Sequence, residues 1–504
     1  MHLLNTIASK YLSSRQSSID HWLQSPIEAQ KQVFKELVHK AKNTAWGKDH
    51  DYQHISSIAD FKKRVSIQDY DSLKPYITRT MAGEQNVLWS QPIQWFAKSS
   101  GTTSDKSKFI PVSKDALKNC HFKGGMDSMT MYCHTHPKTQ VYTGKAIIMG
   151  GSHSISELNQ HSKYGDLSAV LMQNMPYFAK FLNEPKLSIA LQDNWELKLE
   201  QIAQSTVHQN ITHLAGVPTW TILLIKRLLE ITGKNHLLEV WPNFELYIHG
   251  GVSFTPYREQ FAALIPPNKT QYWQTYNASE GFFAVQDAPN RDDMLLMLKH
   301  GIFYEFMPME ELDKANPQTL QLQEVEVGKN YALIISTNSG LWRYRIGDTI
   351  HFTTLSPHRI KVSGRTRHFI NAFGEEVIID NSDQAIHKAC EQTGAKVQEY
   401  TAAPVYFSGD ENGTHEWLIE FDEAPADLLQ FATILDQELQ KLNSDYEAKR
   451  FKGMAMRFPL VQSVPKGTFY QWLKNRGKLG GQHKIPRLAN HREYLEDIKQ
   501  LLVD

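Results

Sequence analysis

The spacing of apolar and polar positions changes several times along the chain. Ser25-Pro26-Ile27-Glu28 predicts a helix start, with a capping box and proline at the first helical position. Ile27, Phe34, Leu37, Val38 and Ala41 then form an apolar stripe, and Gly47 offers a stop. From about residue 95 short apolar runs alternate with helical stretches. Residues 146–149, 169–172, 244–248 and 331–336 read as strands. Residues 219–232 read as a helix closed by Gly233, and another runs from about 255 to 265. This alternation predicts an α/β core. Residues 302–337 look antiparallel, with a turn at Gly328-Lys329-Asn330.

After Ser363-Gly364-Arg365 the order changes. A strand near 368–372, a helix near 380–393, strands near 397–407 and 415–421, a helix near 425–443 and a strand near 457–463 complete the expected elements. The predicted fold is therefore α/β: a large N-terminal domain of sheets flanked by helices, with a smaller α+β C-terminal domain. The expected division is 1–363, a hinge at 364–367, and 368–504.

Composition narrows the function classes. Lys plus Arg equals Asp plus Glu at 54 each, which removes the electrostatic case for nucleic acid or an anionic membrane as the main partner. No apolar stretch approaches the roughly 18 residues that span a bilayer. The start, MHLLNTIASKYLSSRQ, lacks a secretory apolar region with a cleavage site. Cys120, Cys133 and Cys390 are odd in number and far apart, which suits a reducing compartment. The expectation is a soluble, cytoplasmic globular protein. The 22 histidines include no HExxH, and His134-Thr135-His136 has no obvious third ligand.

Four segments carry candidate chemistry. In Ser99-Ser100-Gly101-Thr102-Thr103-Ser104-Asp105-Lys106-Ser107-Lys108, small hydroxyl residues around a glycine suit phosphate oxygens, and a solvated loop reads the same way. In Tyr276-Asn277-Ala278-Ser279-Glu280-Gly281, a carboxylate at a strand end can hold Mg²⁺ beside a nucleotide, or simply belong to a turn. In Trp342-Arg343-Tyr344-Arg345-Ile346-Gly347-Asp348, the acid can accept ribose hydroxyls, or close a polar turn. The stretch from Lys466 to Arg487 holds six Lys/Arg and no acid. It reads as a solvated face, as a loop delivering a lysine to a phosphate, or, through Phe469, Tyr470 and Trp472, as a nucleic-acid surface.

In this order, SSGTT, YNASEG, YRIGD, a Gly-Arg hinge and a late lysine, the chain resembles the acyl-adenylating superfamily. Within it the resemblance is to the acyl-acid amido synthetases, the auxin-responsive Gretchen Hagen family, in a bacterial-type version. Val240-Trp241-Pro242-Asn243, His249-Gly250-Gly251 and Lys484-x-Pro486-Arg487 are similar to stretches of that family. One departure is Ser104-Asp105, where the family's phosphate loops commonly carry a further glycine. The resemblance implies ATP and Mg²⁺ as cofactors, with small carboxylic acid and amino-acid substrates. It implies Lys484 and Glu280 as catalytic residues, Glu280 also being the metal ligand. Ser99, Ser100, Gly101, Thr102, Thr103, Gly250, Gly251, Tyr276, Asn277, Ala278, Ser279, Asp348 and Arg365 would hold the nucleotide, and Val217 and Trp220 the acid. It further implies a small domain that turns between two half-reactions. An acyl-CoA ligase sharing the adenylation residues and a non-catalytic acid-binding protein on the same fold are the alternatives.

Overall fold

The computed structural model describes residues 2–502 apart from 101–106, 150–154, 191, 193, 253, 255–256, 267–268, 313, 366–368, 408–411 and 477–484. The chain divides into two compact units. The first comprises Met1–Ser99, Phe109–Gly251 and Phe261–Thr366, and the second Ser100–Lys108, Val252–Gln260 and Arg367–Asp504.

The first unit begins with helices. Pro26–Ala41 buries Val33, Phe34, Leu37, Val38 and Ala41, so the predicted stripe is the packed face, with Ile27 only half-buried. The expected capping box is not formed. Ser25 sits at the N-cap with ψ 60°, away from the extended geometry that aims a hydroxyl at the third helical N–H. Gly47 does not stop this helix, which ends at Ala41. It lies in the next one, Ala45–Asp49, where a Cβ would fall 2.1 Å from the Ala41 carbonyl oxygen.

An eleven-stranded sheet organises the unit. Its parallel half runs Asn183–Glu184, Lys145–Ile148, Ile211–Ala215, Leu246–His249, Gln271–Ala278. The sheet then becomes antiparallel through Gly281–Val285, Met294–Leu296, His358–Arg365, Tyr344–Leu355, Asn330–Thr337 and Ile302–Pro308. Three of the four expected strands stand in it. The fourth, 169–172, belongs instead to the helix Leu167–Gln173. A four-residue apolar run fits either element, and Ala, Leu and Met are strong helix formers. Helix Pro218–Thr232 ends as expected, with Gly233 at φ +64°.

In the second unit Lys396–Val405, Thr414–Glu423 and Leu460–Val464 form a three-stranded sheet beside helices Ile379–Thr393 and Leu428–Leu442. The expected elements stop short of the chain's last two helices, Thr468–Asn475 and Glu493–Gln500. Phe469, Trp472, Leu495 and Ile498 from these helices pack with Ala403, Leu418, Val464 and Ile485. Two of the three aromatics in the basic stretch are therefore core residues, which removes the stacking surface a nucleic-acid reading needs.

Candidate active site

Neighbouring parallel strands end on one side of their sheet, and in open α/β sheets ligands bind outside those carboxyl ends. Here Ile211–Ala215 leads into Gly216-Val217, Leu246–His249 into Gly250-Gly251, and Gln271–Ala278 into Ser279-Glu280. Ala215 pairs with Ile248 and His249 with Gln274, so the three ends adjoin.

The two glycines of the middle end have different reasons. A Cβ on Gly250 would lie 2.5 Å from the Thr275 carbonyl oxygen, so glycine alone allows the adjacent strands to approach. Gly251 has space, with Val217 Cγ2 at 3.6 Å, but takes φ +82°, where side chains are strained.

Ser279 and Glu280 form the two-residue connection of a hairpin in which Gly281 faces Ala278. Ala278, Ser279 and Glu280 are half-buried and Asn277 is exposed. Burial raises the phenols of Tyr344 and Tyr276 above their ordinary range, and the negative charge of Glu280 adds to both shifts.

Asp348 is the meeting point of distant segments. It faces Arg365 across the strands Tyr344–Leu355 and His358–Arg365. Arg365 Nε donates to Oδ1 at 2.8 Å and Tyr276 Oη donates to Oδ2 at 2.6 Å. Burial, and then the Asp348 charge, hold the Tyr276 phenol well above its ordinary pKa, so it stays a donor. A carboxylate has about four acceptor positions. Among the described residues two are used, and the ones left are fixed in direction. Such a group can accept a pair of hydroxyls.

The other expected residues are less gathered. Ser99 is half-buried on the strand Trp95–Ser100. Gly101, Thr102, Thr103 and Lys484 lie outside the described residues, and so does the side chain of Ser100. Val217 stands beside Gly251, whereas Trp220 is 2% exposed inside its helix's packing. A cavity of about 440 Å³ lined by Lys62, Gln68, Asp69, Arg343 and Arg345, among others, includes none of the candidate residues.

Among the described residues no group of three or more His, Cys, Asp or Glu is arranged to hold a metal ion. A lone carboxylate on a turn still suits Mg²⁺, which keeps its waters and takes one or two protein oxygens beside phosphates. Two further residues shape these strand ends: Gly216, whose Cβ would meet Met149 Cβ at 2.7 Å, and Thr275, whose hydroxyl donates to the His249 carbonyl at 3.3 Å. The glycine was a visible signal; nothing local marked the threonine.

Comparison with known proteins matches all three parts of one family in chain order. The GH3 family N-terminal domain matches residues 15–270, its central domain 295–365 and its C-terminal domain 380–493. Indole-3-acetic acid-amido synthetase GH3.3 of Arabidopsis thaliana is 23% identical, over 93% of this chain and 90% of that protein. The solved structure of the GH3.15 acyl acid amido synthetase aligns with a TM-score of 0.62 at 15% identity, covering 97% of this chain and 96% of that one. A 2-hydroxyisobutyryl-CoA ligase aligns with a TM-score of 0.56 at 14% identity, covering 94% and 92%. With the N-terminal model alone spanning half of its length, the protein belongs to the GH3 family.

Proposed function

We propose that the protein is an ATP-dependent acyl-acid amido synthetase, which adenylates a small carboxylic acid and joins it to an amino acid. The observation that carries this reading is the buried Asp348 carboxylate, aligned by Tyr276 and Arg365. GH3.3, a relative covered almost end to end, is by name such a synthetase, which supports it.

A carboxylate is a poor electrophile and must first gain a leaving group. An oxygen of the acid attacks the α-phosphorus of ATP, the bond to the bridging oxygen breaks, and pyrophosphate leaves. An amino-acid nitrogen then attacks the carbonyl of the acyl-adenylate. AMP departs with the acid's oxygen, and the spare proton goes to solvent. Catalysis on this route is mainly positioning and charge stabilisation.

In this reading Asp348 accepts the ribose hydroxyls, with Tyr276 and Arg365 aligning it. Gly250, Gly251, Asn277, Ala278 and Ser279 let the nucleotide approach backbone, and Ser99, Ser100, Gly101, Thr102 and Thr103 wrap phosphate. Lys484 offsets charge at the α-phosphate, and Val217 and Trp220 wall the acid. Glu280 would hold Mg²⁺, which when bound neutralises phosphate charge. The domain from 368 onward would turn about 364–367 between the two steps.

The test is to incubate the protein with ATP, a panel of carboxylic acids and either amino acids or CoA. AMP formation that requires an amino acid is expected. A requirement for CoA points to a ligase of the thioester kind, and no AMP with any acid points to a binding protein.

A further inference from the structure

Two backbone irregularities meet next to the Ser279-Glu280 turn in sequence, at Phe282. The helix that begins at Lys114 widens into a π turn over Leu117–His121 before continuing as Phe122–Thr135. π turns of this kind are uncommon and cluster at functional sites. Opposite it, the hairpin carrying Glu280 shifts register between Phe282 and Ala284, a bulge of the sort that re-aims nearby side chains.

One contact links the two. The Phe282 N–H donates to Cys120 Sγ at 3.2 Å, and Cys120, within the π turn, is 1% exposed. The Phe282 ring rests on Gly124, where a Cβ would fall 2.3 Å from it. Gly281 is held between the same sulfur and Ile302, with its Cβ position 3.6 Å from Cys120 Sγ and 2.5 Å from Ile302 Cδ1. Burial pushes the Cys120 thiol up to about 12, so it remains a neutral acceptor. The helix itself is anchored by Asp127, whose Oδ2 lies 3.0 Å from His300 Nε2.

We propose that Cys120 is a positioning residue for Glu280: through the Phe282 N–H and Gly281 it sets where the Glu280 carboxylate stands to receive the magnesium of Mg·ATP. This rests on the reading of Glu280 as the metal ligand.

Titration calorimetry without acid tests it by comparing ATP affinity in Mg²⁺ with ATP affinity in EDTA. Cys120→Ala should reduce the metal-linked gain in affinity roughly three- to tenfold, the range expected for one hydrogen bond. Its affinity in EDTA should match the wild type. Cys120→Ser, which keeps an acceptor, should restore most of the gain. Gly124→Ala, which displaces the Phe282 ring, should repeat the loss. An equal fall in Mg²⁺ and EDTA, or no fall at all, would overturn the proposal. Glu280→Gln separates the two failures. If it abolishes the gain while Cys120→Ala does not change it, only the positioning role is wrong. If Glu280→Gln keeps the gain, the metal reading fails and the positioning role fails with it.

Discussion

Asp348 keeps a carboxylate at 8% exposure because Tyr276, 72 positions away, and Arg365, on the neighbouring strand, both donate to it. Removing it should weaken AMP binding at least about tenfold, since charge-assisted hydrogen bonds contribute roughly 1.5–3 kcal/mol. Calorimetry on folded Asp348→Ala checks this, and unchanged AMP affinity would rule out the ribose role. At the proposed metal ligand, Glu280→Gln keeps volume and removes charge, so the variant should fold normally and lose ATP–pyrophosphate exchange. Full exchange at limiting Mg²⁺ would place the metal elsewhere. A different residue sets a pH response. Burial, and then the charge of His300, push His121 down to about 4. An unfolded histidine titrates near 6.5. Between those values the unfolded chain binds a proton that the folded chain refuses. Stability is therefore full above about pH 6.5 and falls as pH drops towards 4, by up to about 3 kcal/mol from this residue. Denaturant unfolding of wild type and His121→Gln between pH 7 and 4.5 should show a flatter pH dependence in the variant. Equal slopes would mean His121 protonates in the folded state.

At the scale of elements, the legible signals are local ones, although Ser25 and Gly47, equally local, pointed to a capping box and a stop that do not form. Gly233 closes its helix, and Gly250-Gly251 and Ser279-Glu280 mark strand ends, because glycines and turn residues answer to backbone geometry within a few positions. The four-residue run at 169–172 was not readable, since its period is too short to separate a buried helix from a strand. The basic stretch hid a helix because its six Lys/Arg and four glycines read as a loop, while Phe469 and Trp472, three apart, supply the buried face. The Tyr276–Asp348 bond spans 72 positions and leaves no local trace. The two strand-end glycines should separate experimentally. Gly250→Ala must push the Leu246–His249 and Gln271–Ala278 strands apart and should lower both thermal stability and AMP affinity. Gly251→Ala has room but keeps a positive φ, and should cost about 1–2 kcal/mol of stability with a smaller fall in AMP affinity than Gly250→Ala. Thermal melts and calorimetry on both variants decide it, and equal behaviour would contradict the distinction.

For the whole molecule we propose one route in two steps, with Lys484 on the later domain serving only the first. Removing a group that stabilises charge in a transition state typically costs about 10²–10³ in rate. Lys484→Ala should slow acyl-adenylate formation by about that factor and change aminolysis of a supplied acyl-adenylate far less. Single-turnover measurement of both steps checks this, and equal slowing would sink the turning-domain proposal. The central claim, activation of the acid as an acyl-adenylate, is open to a more direct measurement. A carboxylic acid labelled with ¹⁸O in its carboxylate is turned over with ATP and an amino acid, and the nucleotide product is examined by mass spectrometry. The account predicts AMP carrying one ¹⁸O in its phosphate, because the acid's oxygen attacked the α-phosphorus. Unlabelled AMP, or ADP with the label in free phosphate, would contradict it.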